Sequence, residues 1–147
     1  MLNVKYSDLK KFIPDITCGK VIKVYDGDTI TIATRIAGVG AIDRFSVRFM
    51  GIDTPEIRTK NKEEKEVAKK ARDFLKSKIM NKIVTLKDVD YDKYGRILAF
   101  PYLDDISLSD LMIKENFAVA YDGGKKTKVD WKKYNETGEL WFNYFYD

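Results

Sequence analysis

A chain of 147 residues with 44% apolar and 34% charged content has the size and composition of one soluble globular domain with a core of its own. The absence of histidine excludes Ser-His-Asp and Cys-His catalysis and every histidine-based zinc site, so acid–base work falls to Asp, Glu, Lys, Tyr or metal-held water. The formal net charge of +4 favours a polyanionic partner.

No apolar run approaches the roughly 20 residues of a membrane-spanning helix, so no membrane partner is expected. The first residues, "MLNVKYSDLKKFIPDITCGK", lack the continuous apolar stretch of a secretory signal. The single cysteine, Cys18, excludes an internal disulfide and suits a reducing compartment. An intracellular, cytoplasmic monomer is the expectation.

In chain order, "SDLKKF" at 7–12 predicts a short helical turn before Pro14. "GKVIKVYDGDTITIAT" holds two β-rich runs around "DGD", a hairpin signal. Residues 35–43, "RIAGVGAID", are loop-like. "FSVRFMGI" alternates, with Phe45, Val47 and Phe49 on one face and Ser46, Arg48 and Met50 on the other.

Residues 60–80 carry Val67, Ala71, Phe74, Leu75 and Ile79 at helical spacing against a charged face. "KIVTLKDV" and "RILAFPYL" predict two further strands joined by "DYDKYG", the second ending or running along an edge at Pro101. Residues 107–118, "SLSDLMIKENFA", open on a capping-box-like Ser107-x-x-Asp110 and place Leu108, Leu111 and Met112 on one face.

The order β-β-β-α-β-β-α predicts a mainly β, α+β fold: a five-stranded barrel of the OB type with two or three packed helices. No internal repeat or interdomain linker is visible, so residues 1–147 are expected to form a single domain. The tail beyond 122, "KKTKVDWKKYNETGELWFNYFYD" for most of its length, is basic and then aromatic, with no clear periodicity. Its lysines at 125, 126, 128, 132 and 133 suit a phosphate-tracking groove or a solvated surface equally. "LWFNYFYD" is expected to close over the core rather than form a binding platform, with a dimer or partner contact as the alternative.

Three stretches can carry chemistry. "YDGDT", 25–29, is a tight turn whose Asp26 and Asp28 can also offer oxygens to a hard cation. "IDTPE", 52–56, is turn-like and twice acidic. In "DKYGR", 92–96, Gly95 permits a turn and Arg96 is either a solvated edge residue or a fixed cation for two phosphate oxygens. All three fall at strand ends, where a barrel gathers its loops, and Arg48 lies on the strand leading into "IDTPE". Asp28, Asp53, Glu56, Arg48 and Arg96 can therefore converge. Acids hold a cation and arginines meet negative charge; a phosphodiester needs both.

"DGDT", "VRFMGIDTPE" and "DKYGR" in that order resemble the staphylococcal (micrococcal) nuclease, or thermonuclease, family. The motif-matching core runs from about 18 to 122, with an N-terminal extension over 1–17 and a divergent tail over 123–147. The resemblance implies that Asp28 and Asp53 are carboxylate ligands of a single Ca²⁺, that Thr54 adds its backbone carbonyl, and that Asp26 sits behind them and orients the site. It implies that Glu56 positions or deprotonates the attacking water, and that Arg48 and Arg96 bind the scissile phosphate and stabilise its five-coordinate transition state. Lys93, Tyr94 and Tyr121 match positions that contact substrate phosphate and sugar.

The implied activity is Ca²⁺-dependent hydrolysis of DNA and RNA at the P–O5′ bond, leaving 3′-phosphate and 5′-hydroxyl ends, with single strands or frayed duplex preferred. The alternative is a catalytically inactive OB-fold module that binds nucleic acid or protein; such modules usually lack one or more of the five acids and arginines that this chain keeps. The chain departs from the family pattern in the loop at 35–43, in a short segment after Glu56, and at Gly123, where a second tyrosine is common. Gly138 interrupts the tail where a longer C-terminal helix is expected.

Overall fold

The computed structural model describes residues 3–140. Strands β1 (Cys18–Asp26) and β2 (Thr29–Thr34) form the hairpin expected around "DGD", with Gly27 and Asp28 as its turn. β2 pairs antiparallel with β3 (Asp43–Phe49), and β1 pairs antiparallel with β5 (Ile83–Tyr91). β5 in turn pairs with β6 (Ile97–Leu103). A parallel pairing of β3 with β6, Val47 opposite Ile97 and Phe49 opposite Ala99, joins the two ends. The result is a closed five-stranded barrel, mainly β and of the OB type, with three helices. Register breaks in β1, after Val21 and after Val24, supply the bends a small barrel needs to close.

The alternation in β3 is realised. Val47 and Phe49 are buried in the barrel and Phe45 packs partly against the same core, while Ser46, Arg48 and Met50 face a cleft on the other side. β6 continues through Pro101 to Leu103; β3 pairs with it only as far as Ala99, so the missing Pro101 N–H falls where that neighbour has already ended.

Helix α1 (Lys62–Ile79) starts at Asn61, whose side chain accepts from the backbone N–H groups of Glu63 and Glu64 at 3.0 and 3.1 Å. Val67, Ala71, Leu75 and Ile79 are buried and Phe74 half-buried, the stripe that helical spacing predicts. Truncating Leu75, fully buried, would cost about 2–5 kcal/mol. Helix α2 (Leu108–Lys114) is capped by Ser107, which accepts from the Asp110 N–H at 3.2 Å. It ends earlier than the expected 118, because Asn116 takes a left-handed conformation (φ 62°) and breaks the run.

Two short strands matter for the site: β4 (Ile52–Asp53) and β8 (Val119–Ala120), paired antiparallel with Asp53 opposite Val119. A further short strand, β7 (Ile106–Ser107), pairs with β6. Helix α3 (Trp131–Thr137), illegible in the sequence pattern, begins at Asp130 and stops at Gly138 (φ 73°). Its Trp131 and Tyr134 pack with Val67 and Val119, and the Tyr134 hydroxyl donates to the Ala118 carbonyl at 2.7 Å. Of "LWFNYFYD", Leu140 is exposed; the rest lies outside the described residues. Among the described residues, no helix is long and apolar enough to cross a membrane.

Candidate active site

A cleft of about 880 Å³ opens beside the β1–β2 turn, the β3–β4 connection and the β5–β6 turn. Its construction begins with Gly51. This residue has φ 84°, and a Cβ there would lie 2.9 Å from the Phe100 ring. Only glycine suits both demands. The turn it permits sends β4 across the cleft to pair with β8, carrying Asp53, Thr54 and Glu56 with it.

Asp28 is 7% exposed. Its backbone carbonyl accepts from the Phe49 N–H at 2.8 Å, and the neighbouring register pairs Thr29 with Arg48. That register sets the two side chains together: Arg48 Nη1 lies 3.1 Å from Asp28 Oδ2, while Thr29 Oγ1 donates to Asp28 Oδ1 at 2.9 Å. Arg48 also donates from Nη1 to the Phe49 carbonyl at 2.6 Å and from Nη2 to the Ile52 carbonyl at 3.2 Å. A guanidinium with five donors still keeps N–H groups for an incoming anion.

Asp26 Oδ1 accepts from the Asp28 N–H at 3.1 Å. Burial, followed by the charge of Asp28 beside it, pushes the Asp26 carboxyl up to about 8, against the partial relief of the Asp28 N–H and Arg48.

Asp53 and Thr54 line the same cleft, Thr54 buried. Glu56 stands more exposed, and its backbone N–H donates to Glu64 Oε2 at 2.9 Å, which pins the loop to the first turn of α1. Arg96 enters from the β5–β6 turn. Its Nε donates to Asp92 Oδ2 at 2.8 Å, and Asp92 Oδ1 accepts from the backbone N–H groups of Tyr94 and Arg96, both at 2.9 Å. Burial acts to raise the Asp92 carboxyl, but these donors together hold it below its ordinary value.

The cleft thus brings together Asp26, Asp28, Arg48, Asp53, Thr54, Glu56, Arg96 and Tyr121. Lys93 and Tyr94 do not line it. They sit on the β5–β6 turn, Tyr94 exposed and the Lys93 ammonium 5.2 Å from its ring centroid. Among the described residues, no three Asp, Glu, Cys or His side chains converge as a metal-ligating group; the acids here are instead met by cations of the chain itself.

Sequence reasoning gave Asp92 no part, although its spacing of four from Arg96 around a glycine was an available signal. It left Lys126 between a phosphate-tracking groove and a solvated surface, and nothing in the spacing pointed to Asp53. The Lys126 Nζ lies 3.1 Å from Asp53 Oδ1 and 3.8 Å from Glu56 Oε1. Burial alone would lower the Lys126 ammonium pKa, but the charges of Asp53 and Glu56 outweigh it and raise it.

The fold is a closed OB-type barrel whose cleft sets carboxylates beside guanidinium groups. The chain belongs to the staphylococcal nuclease homologue family, whose model matches residues 46–139. It is 34% identical over 103 residues to a thermonuclease of Staphylococcus hyicus, covering 69% of this chain and 57% of that protein. Against a thermonuclease of Staphylococcus intermedius it is 37% identical over 102 residues, covering 68% and 57%. The SPbeta prophage-derived endonuclease YokF of Bacillus subtilis is 33% identical over 122 residues, covering 80% of this chain and 38% of that one. The chain spans about half the length of the curated relatives it matches.

Proposed function

We propose that this protein is a nuclease, a Ca²⁺-dependent phosphodiesterase that cleaves the P–O5′ bond of DNA and RNA and leaves 3′-phosphate ends, with single-stranded or frayed substrate preferred. The observation that carries the reading is the placement of Arg48, Arg96, Asp28, Asp53 and Glu56 around one cleft, inside a fold whose family includes thermonucleases.

The donor set fits a hard divalent cation. Asp28, Asp53 and the Thr54 carbonyl would hold it, oxygen atoms throughout. Asp26 adds a further carboxyl directly behind them, its Oδ1 accepting from the Asp28 N–H at 3.1 Å. When bound, the ion supplies Lewis acidity toward a phosphate oxygen and a template for water.

The chain's own groups do the rest. Arg48, fixed by Asp28 and two carbonyls, presents its remaining N–H groups to the scissile phosphate. Asp92 holds the Arg96 Nε while the guanidinium lies 5.8 Å from the Tyr94 ring centroid, so its Nη groups can take two oxygens of the same group. Glu56, the most exposed acid of the set, accepts a proton from the attacking water; that oxygen bonds to phosphorus as the P–O5′ bond breaks, and O5′ leaves and takes a proton from solvent water to become a hydroxyl. A carboxylate is a weak base for water, so the rate is expected to rise on the alkaline side.

Nicking of single-stranded DNA with Ca²⁺, with EGTA, and by Glu56→Gln tests the reading. Cleavage that needs Ca²⁺ and falls by at least about 100-fold in the variant is expected. Binding without Ca²⁺-dependent cleavage would favour the inactive binding module instead.

A further inference from the structure

After β8 the chain turns sharply. The Tyr121 N–H donates to the Gly51 carbonyl at 2.9 Å, so the strand leaves the sheet directly beside Asp53. Gly123 adopts φ 92°, the Gly124 N–H donates to Asp122 Oδ1 at 2.9 Å, and the Tyr121 hydroxyl donates to the Gly124 carbonyl at 2.5 Å. This closed turn throws the following residues back over the cleft. Lys126 arrives with its ammonium against Asp53 and Glu56 and 5.8 Å from the Tyr121 ring centroid.

Asp53 is the better buried partner, its side chain 13% exposed against 47% for Lys126. It is also the carboxylate that the proposed function assigns to the divalent cation. An ammonium 3.1 Å from Asp53 Oδ1 and an ion at the roughly 2.3–2.6 Å of a calcium–oxygen bond repel one another across the same oxygen. The loop makes withdrawal of the lysine inexpensive. The Lys126 side chain is already 47% exposed where it makes these pairs, and each such pair shifts an equilibrium by about fivefold at most.

We propose that Lys126 is a tethered counter-ion of the cation pocket. It neutralises Asp53 and Glu56 in the metal-free protein, must be displaced for the divalent cation to enter, and so sets the cation concentration at which the cleft fills. The inference rests on the cation reading of the site and deepens it. Lys125 is the natural control, since it lies on the same loop with the same charge and is not a cleft-lining residue.

The test is calorimetric titration of CaCl₂ into the wild-type chain and four variants, without substrate. Wild type is expected to bind one ion, and Asp53→Asn to weaken binding more than about tenfold. Lys126→Gln should tighten it by about five- to tenfold, Lys126→Arg should stay near wild type, and Lys125→Gln should shift it by less than about twofold. If wild type and Asp53→Asn behave as stated but Lys126→Gln binds no more tightly than Lys125→Gln, the counter-ion role is wrong and the cation site stands. If wild type takes up no Ca²⁺, or Asp53→Asn binds equally well, the cation reading falls and the role of Lys126 with it.

Discussion

Arg48 and Arg96 bring the same charge to the same cleft and are held in opposite ways. Arg48 stands near the end of barrel strand β3 with its side chain 15% exposed, and its guanidinium is shared among a buried carboxylate and two backbone carbonyls. Arg96 follows a tight turn with its side chain 39% exposed, and one carboxylate four residues earlier holds it. The first is part of what keeps the barrel rim together; the second is a local device that the barrel merely carries. A residue placed for chemistry by tertiary packing is costly to the fold when removed, whereas one placed by its own turn is not.

The comparison breaks most visibly at Arg48. Replacing it with Ala would leave the carboxylate of Asp28 buried beside Asp26 without its cation. We expect a stability loss of about 3 kcal/mol by urea denaturation together with at least about a 100-fold loss of phosphodiesterase rate. Arg96→Ala should lose a similar factor in rate, yet move the urea midpoint by no more than about 0.5 kcal/mol equivalent. Equal destabilisation by the two would contradict the distinction drawn here.

The two sides also carry opposite pH signatures. Asp26, raised from 3.8 to about 8, keeps a proton in the folded, cation-free protein where the unfolded chain has released it. Stability in EGTA should therefore fall as pH rises from about 4 to about 8, by at most about 1.4 kcal/mol per pH unit, and Asp26→Asn should flatten that slope. Asp92 is shifted the other way. The stability it adds is present above the ordinary carboxylate range and is lost only as pH falls through its lowered value. Chemical denaturation at several pH values separates the two.

The smallest expected effect sharpens the turn side. Asp92→Asn keeps an oxygen for the backbone N–H groups of Tyr94 and Arg96 but weakens the ion pair with Arg96 Nε. About a tenfold loss in kcat/KM with an unchanged melting temperature is expected, measured on a single-stranded oligonucleotide.

How much of this was legible beforehand divides along the same line. The strand alternation at Phe45–Val47–Phe49, the α1 stripe from Val67 to Ile79 and the Ser107 cap follow from periodicity and local hydrogen bonding, which depend on neighbours a few residues away. Asp28, Asp53, Glu56, Arg48 and Arg96 were named from strand ends and motif order, and the cleft does gather them. Lys93 and Tyr94, which the family resemblance alone suggested, stand off its lining, because the turn that aims Arg96 inward leaves Tyr94 exposed. Helix α3 had too little apolar periodicity to be read; two buried aromatics, Trp131 and Tyr134, hold it against α1 and β8.

By itself, then, the sequence determined the barrel's strands, the first two helices and the acids and arginines of the cleft, since period, capping and turn chemistry are local properties. Tertiary structure alone decided that Arg48 locks onto Asp28 and that Lys126 reaches Asp53. The first contact follows from the register of β2 against β3, the second from the pairing of β4 with β8. Lys126 and Asp53 are distant in the chain, and spacing carries no information about a contact that only sheet closure and a tight turn after Tyr121 create.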